Sequence, residues 1–358
     1  MCGIVGFVGA RADMQEILQG MMDAIAHRGP DGQGQFIEGP AALGQRRLSI
    51  IDLEGGKQPM FNEDGSLVCI FNGEIYNFIE IRDELKKKGY TFRSASDSEV
   101  IMAAFCEWGE SCVERFNGMW TFAIWDKQTK QLFISRDRFG VKPLFYAELP
   151  DGGFAFASEM KVILPLLPKV EANKPMFDRY FADNHYESQP ECLIRGIKRF
   201  PAGHNAWVKD GKITLKRYWN TLDHLISVPD SYEEQVEPFR ELLLAACKIR
   251  MRSDVTLGTG LSGGLDSSAV ICAMSYISKN MTDERANNDW QHAYVACFPG
   301  TAQDETCQET GAAKGAEHPH PPPPADVPDL SEHLFAVRAV CGGAAVLFPV
   351  FRLLLLAL

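Results

Sequence analysis

From residue 3 to about residue 220 the chain is a series of short apolar runs, and beyond that its pattern changes. This change limits the accessible folds more than any other feature. Runs at 67–71, 120–125, 131–135, 144–147 and 154–157 are each the length of one strand, with turns such as Asp151-Gly152-Gly153 between them. Short strands joined by tight turns favour antiparallel pairing. Three helices interrupt them. Asp13 with Glu16 has the form of a capping box ahead of Ile17, Leu18, Met21, Met22 and Ile25, which recur at helical spacing. Asn77 and Glu80 open a second helix carrying Phe78, Ile81 and Leu85, and Gly89 ends it after three lysines. Ser96 with Glu99 opens a third that runs toward Trp108. Strands mixed with a few helices predict an α+β domain over about 2–220. From about residue 225 the order becomes helix (233–250), strand (255–261), helix (266–277) and strand (292–298). That alternation predicts a parallel α/β sheet in a second domain, 226–358.

At 358 residues there is room for two cores. A hydrophobic content of 46% and a charged content of 23% are those of an ordinary globular chain. The net charge of −11 argues against nucleic acid or an anionic membrane as main partner, though not against a nucleotide bound locally. Ten cysteines include no CxxC pair, which argues against a structural zinc site. Several lie in apolar runs, as Cys69 does in Leu67-Val68-Cys69-Ile70-Phe71, and read as buried thiols of a reducing, cytoplasmic protein. The N-terminus has no basic stretch followed by a long apolar one, so no signal peptide is read there.

The last forty residues are unusual. His318-Pro319-His320 followed by four prolines cannot be helix or inner strand. A surface loop outweighs metal binding by the two histidines. The apolar stretches 339–351 and 353–358 are too short and interrupted for a membrane span and read as a buried helix.

Cys2 carries the first chemical signal. Removal of Met1, expected next to so small a residue, would leave a thiol and a free α-amine on one Cα. The amine, with a reference pKa of about 7.7–8.0, can accept a proton near neutrality. The thiol, near 8.5, is strongly nucleophilic once ionised. Four polar segments follow: His27-Arg28-Gly29-Pro30-Asp31-Gly32, Arg46-Arg47-Leu48-Ser49-Ile50-Ile51-Asp52, Asn72-Gly73-Glu74-Ile75-Tyr76-Asn77 and Ser94-Ala95-Ser96-Asp97-Ser98-Glu99. Each alone reads as surface charge, turn or cap. Together they contain what is needed to hold a small amino acid: a guanidinium for a carboxylate, Asp97 for an ammonium, and Asn72 with the Gly73 N–H as an oxyanion hole beside a thiolate. The second half adds Leu261-Ser262-Gly263-Gly264-Leu265-Asp266-Ser267-Ser268 between a predicted strand and helix. Small residues there let backbone N–H groups approach a pyrophosphate, and the helix N-terminus adds partial positive charge. Asp266, being negative, suits Mg²⁺ better than phosphate.

The first set of residues resembles the glutaminase domain of class II glutamine amidotransferases, which are N-terminal-nucleophile hydrolases. The second resembles the PP-loop of ATP pyrophosphatases. In this combination the chain is similar to the glutamine-hydrolysing asparagine synthetase family from Cys2 to about Cys307, including Arg217-Tyr218-Trp219 and Phe298-Pro299-Gly300-Thr301 with Asp304-Glu305. The resemblance implies an αββα sandwich followed by an α/β domain of the adenine nucleotide alpha hydrolase type, here incomplete. It implies that Cys2 attacks the glutamine amide, that its amine relays the proton, and that Asn72 and Gly73 stabilise the oxyanion. Arg47, Leu48, Ser49, Ile50, Ile51, Asn72, Gly73, Glu74 and Asp97 would hold glutamine. Leu261, Ser262, Gly263, Gly264, Asp266, Ser267 and Ala296 would hold ATP, with Mg²⁺ at Asp266. The implied partners are glutamine, aspartate and ATP, with a homodimer left open.

The sequence departs from the family in two places. Gln45 stands where relatives often have histidine. The family's later GxGxDE segment and catalytic lysine do not occur here, and the resemblance fades after about residue 310. Two alternatives to asparagine formation therefore stay open: glutaminase activity alone or an inactive fragment, and amide transfer to another carboxylate.

Overall fold

Alternation of side chains along β1 (Gly3–Val8) sets the layering of the first half. Ile4 and Val8 share one core with Val68, Ile70, Ala123, Trp125, Leu132 and Ile134. Val5 and Phe7, pointing the other way, pack with Leu18, Met21 and Met22. The computed structural model describes residues 1–183, 189–261, 264–281, 283, 285–287 and 292–294. The chain divides into two compact units, Met1–Leu225 and one starting at Ile226.

In the first unit β1 is followed by α1 (Met14–Ala24), β2 (Gly32–Glu38), β3 (Ala41–Arg47), β4 (Met60–Phe61), β5 (Leu67–Ile75), α2 (Phe78–Lys87), α3 (Asp97–Trp108) and α4 (Cys112–Arg115). Then come β6 (Gly118–Asp126), β7 (Gln131–Arg136), β8 (Phe145–Glu148), β9 (Phe154–Ala157), α5 (Lys174–Asp183), β10 (Lys198–Arg199), β11 (His204–Lys209) and β12 (Lys212–Arg217). They form two six-stranded sheets, ordered β10-β8-β9-β1-β3-β2 and β12-β11-β7-β6-β5-β4. Neighbouring strands are antiparallel throughout. The outer face of the second sheet, with Cys69, Phe71 and Ile75, packs against Ile81 of α2 and Ile101 of α3. The result is the αββα sandwich that the sequence resemblance implies.

The inner faces change character toward one end. Continuing the alternation of Ile4, Leu43, Ile70 and Ala123, the next inward positions are Cys2, Gln45 and Arg47 on the first sheet and Asn72, Glu74 and Thr121 on the second. The apolar core thus gives way to polar side chains at the N-terminal end of β1.

Helix starts differ from the expected capping. Asp13 makes no side-chain cap. Asn77 instead accepts from the Asn117 N–H at 2.8 Å and donates to the Arg115 carbonyl at 2.9 Å, tying α2 to the approach to β6. Ser96 does cap α3, accepting from the Ser98 N–H at 3.2 Å. Glu99 turns outward to the N–H groups of Arg93 and Ser94 rather than closing a box. At Asn77, tertiary partners outcompete the local cap.

In the second unit α6 (Tyr232–Arg250), β13 (Gly258–Gly260), α7 (Leu265–Asn280) and β14 (His292–Tyr294) follow in order. β13 and β14 pair in parallel, Gly258 opposite His292, with α7 as the crossover. Cys247, Met251, Leu261, Ile271, Met274 and Ile277 form its core. β13 is shorter than the strand expected at 255–261. The segment 298–305, His318, His320 and the apolar stretches from 339 lie outside the described residues. Among the described residues no helix is long and apolar enough to cross a membrane. The described cysteines, Cys2, Cys69, Cys106, Cys112, Cys192, Cys247 and Cys272, are all unpaired.

Candidate active site

Strand register brings the second polar segment to Cys2. Gly3 pairs with Arg46, so the residue before Gly3 meets the chain just beyond Arg47. The Cys2 Sγ accepts from the Leu48 N–H at 3.3 Å and lies 3.4 Å from the Leu48 carbonyl. Arg28 holds the other side, its Nε donating to the Cys2 carbonyl at 2.9 Å and its Nη1 pairing with Glu159 Oε1 at 3.1 Å. His27 Nε2 reaches the same Glu159 oxygen at 2.8 Å. The next residues are held by Ser158, whose hydroxyl accepts from the Ile4 N–H at 3.0 Å. Gly29 makes this approach fit: a Cβ there would lie 2.3 Å from the Arg46 carbonyl carbon and the Arg47 nitrogen.

Loop 48–56 is built around two acids and one guanidinium. Asp31 accepts from the Ser49 N–H at 2.8 Å. Asp52, at a left-handed φ of 52°, accepts from the Gly55 N–H at 2.8 Å and the Ala95 N–H at 2.7 Å. Arg47 donates to the carbonyls of Leu53 at 2.8 Å, Asp52 at 2.6 Å and Ile51 at 3.3 Å. The resemblance places Arg47 among the residues that would hold glutamine. In the structure both of its terminal nitrogens first organise the loop. Ile51 is buried in the core beneath α3, while Leu48, Ser49 and Ile50 stay half-exposed.

The opposite sheet supplies Asn72, Gly73 and Glu74. Asn72 is 1% exposed, and neither its Oδ1 nor its Nδ2 has a hydrogen-bond partner. A buried amide left this way is costly unless something binds there. Gly73 has a plain packing reason: a Cβ there would lie 2.1 Å from the Met119 carbonyl oxygen. Burial, then the neighbouring Asp97 carboxylate, push Glu74 well above the usual carboxylate range, against Lys142 and Arg47. Asp97 is buried at the start of α3, and its Oδ2 accepts from the Ile75 N–H at 2.9 Å. Burial raises its carboxyl to about 6 despite that bond. Burial also raises the Cys2 thiol, the Leu48 N–H opposes this, and Glu74 adds to it.

Two groups at this end were not singled out from the sequence. Glu159 lies far along the chain, and only the β1–β9 pairing brings it to Arg28. Lys142 is 4% exposed and sits at the end of a turn. Nothing in Gly140-Val141-Lys142-Pro143 distinguishes it from a surface lysine before a proline.

The second group of site residues lies in the other unit. Leu261 is buried and its N–H donates to the Tyr294 carbonyl at 2.9 Å. Gly264 precedes α7, and the hydroxyls of Ser267 and Ser268 donate back to its carbonyl at 3.2 and 2.8 Å. Asp266 is exposed in the first turn. Ser262, Gly263 and Ala296 lie outside the described residues.

Residues 1–219 match the family described as glutamine amidotransferase domain. This chain belongs to that family. Within this amidotransferase chain, residues 238–334 match a second family, asparagine synthase. It is 35% identical over 324 residues to asparagine synthetase (glutamine-hydrolyzing) 1 of Bacillus subtilis (strain 168), covering 89% of this chain and 49% of that protein. Against number 3 of the same organism it is 36% identical, covering 75% and 44%. Against asparagine synthetase B (glutamine-hydrolyzing) of Escherichia coli (strain K12) it is 32% identical, covering 89% and 53%. The amidotransferase chain spans about half the length of these relatives.

Proposed function

We propose that the chain releases ammonia from the side-chain amide of glutamine at Cys2 and delivers it to the synthesis of asparagine from aspartate and ATP. The observation that carries the first step is the Asn72 amide, buried without a partner on the inner face that looks toward Cys2. Once Met1 is gone, the Cys2 Sγ attacks the amide carbon and its proton passes to the new α-amine. The oxyanion is held by the Asn72 amide and the Gly73 N–H. The amine returns the proton to the departing nitrogen, ammonia leaves, and water hydrolyses the thioester to glutamate. Asp97 takes the ammonium of the substrate, and Arg47 with loop residues Leu48–Ile51 and Glu74 takes the rest of it.

In the second unit, Leu261, Gly264, Asp266 and Ser267, with Ser262, Gly263 and Ala296, bind ATP. The small residues ahead of α7 and its helix N-terminus fit a pyrophosphate. No group of three metal-ligating side chains occurs among the described residues. Asp266 is one exposed carboxylate, which suits Mg²⁺ carried mainly by the nucleotide phosphates and water. Magnesium there would neutralise phosphate charge. The aspartate β-carboxylate takes AMP from ATP with loss of pyrophosphate, and ammonia displaces AMP to give asparagine. Asparagine as the product is supported by the names of the relatives and the match over 238–334.

The test supplies glutamine, aspartate, ATP and magnesium and follows glutamate, asparagine and pyrophosphate together. Production of all three supports the full reading. Glutamate without pyrophosphate leaves an amidase alone, and pyrophosphate without asparagine points to another carboxylate acceptor. Absence of glutamate from Met1-free protein refutes the Cys2 chemistry.

A further inference from the structure

We propose that Lys142 is the electrostatic positioning residue of the Cys2 site: its buried ammonium favours the thiolate of Cys2 and keeps the adjoining α-amine free to accept a proton. This rests on the reading of Cys2 as the nucleophile. Lys142 is almost wholly buried, and the described partner of its Nζ is the Met1 Sδ at 3.4 Å. A lysine is seldom buried unless an anion or a polar cluster accepts it. A thioether is a weak acceptor, and it departs with Met1. The ammonium then faces the space next to the new chain start.

The turn that carries Lys142 is fixed from two sides. Asp137 accepts from the N–H groups of Phe139, Val141 and Lys142 at 3.1, 2.9 and 3.0 Å, and from that of Trp120 at 3.2 Å. Arg136 donates to the Lys142 carbonyl at 2.7 Å and the Gly140 carbonyl at 2.6 Å. Gly140 takes a left-handed φ of 67° in that turn. Such a frame holds the side chain without help from a substrate.

The charged groups facing this end come from every packed element. They are Cys2 and the chain start, His27, Arg28 and Asp31 beyond α1, Arg47 on β3, Glu74 on β5, Asp97 on α3, Asp137 after β7 and Glu159 after β9. Burial disfavours charge on Lys142, while Glu74, Cys2 and Asp137 favour it and Arg28 opposes it. Burial lowers the Met1 amine at the present chain start, and Arg28 and Lys142 add to that, against Cys2 and Asp31. Lys142 also lowers the thiol. A cation at this place acts in the same direction on the α-amine that Met1 removal creates on Cys2. The first proton lost from the thiol and amine together leaves more easily, whichever group keeps the second.

The experiment compares wild-type, K142M and K142R full-length protein, each freed of Met1 and checked by circular dichroism. Two profiles are measured against pH: glutamate release from glutamine and alkylation of Cys2 by iodoacetamide. The proposal expects K142M to move the acid limb of both profiles to higher pH, slowing alkylation at pH 7 by about tenfold. K142R, which keeps the charge, should restore the wild-type limb. Superimposable wild-type and K142M profiles overturn the proposal. So does an equal displacement in K142M and K142R, which would make the effect one of packing. K142Q replaces K142M if the latter does not fold. Alkylation needs no glutamine, so a wild-type protein that hydrolyses none refutes the glutaminase reading while this test of Lys142 still stands.

Discussion

Cys2 has its position fixed by Leu48 on one side and Arg28 on the other, and the consequences at this scale are sharp. Replacing Cys2 with Ala should abolish glutamate formation, and retained hydrolysis would dispose of the nucleophile assignment. Asn72→Ala removes one oxyanion donor, with an expected loss of about 10²–10³-fold in kcat. An unchanged kcat would leave the buried amide without a role. Asp97 offers a pH test. Its carboxyl, raised by burial to about 6, must be ionised to pair with a substrate ammonium. Glutamine affinity should therefore be full above that value and decline as pH falls through it, by about tenfold per pH unit once the acid is mostly protonated. Calorimetric titration of glutamine into the C2A protein between pH 5 and 7.5 measures this, and a flat profile would separate Asp97 from substrate binding. The residue types of the candidate site were legible from sequence through their resemblance to the glutaminase domain. Lys142 and Glu159 were not, since a charged residue shows its burial only when distant strands pair.

At the scale of elements, the turn between β7 and β8 is the most exposed to a single change. Asp137 satisfies four N–H groups within it and at β6, so Asp137→Ala leaves several buried donors without an acceptor. A destabilisation of about 3 kcal/mol or more is expected, read by denaturant unfolding. A loss below about 1 kcal/mol would mean that water replaces the carboxylate. The apolar runs at 67–71, 120–125, 131–135 and 154–157 all became strands, since continuous apolar runs of strand length are buried on both faces between the stacked layers. Capping was read less well. Asp13 and Asn77 precede helices as expected, yet neither side chain caps one; for Asn77 a cap bond is worth little more than the tertiary bonds that replace it.

Across the whole molecule, the three cores of the first unit draw on residues no later than Tyr218. A chain ending at residue 225 is therefore expected to unfold cooperatively and to hydrolyse glutamine at a rate within a few-fold of the full protein. Loss of cooperative unfolding in that fragment would show that the second unit completes the first. The sequence by itself determined the strand and helix pattern, the family and the residue types of the site, because periodicity and motif spacing are local properties of a chain. The tertiary structure alone decided how the two sheets stack, which leaves one polar end in an apolar interior. It also decided that Arg47 is bound first to its own loop, that the Asn72 amide is unpartnered, and that the buried Lys142 reaches the Met1 sulfur. Those facts depend on register and on burial, which arise only when the chain closes on itself, as where Lys142 meets Met1 across 141 residues.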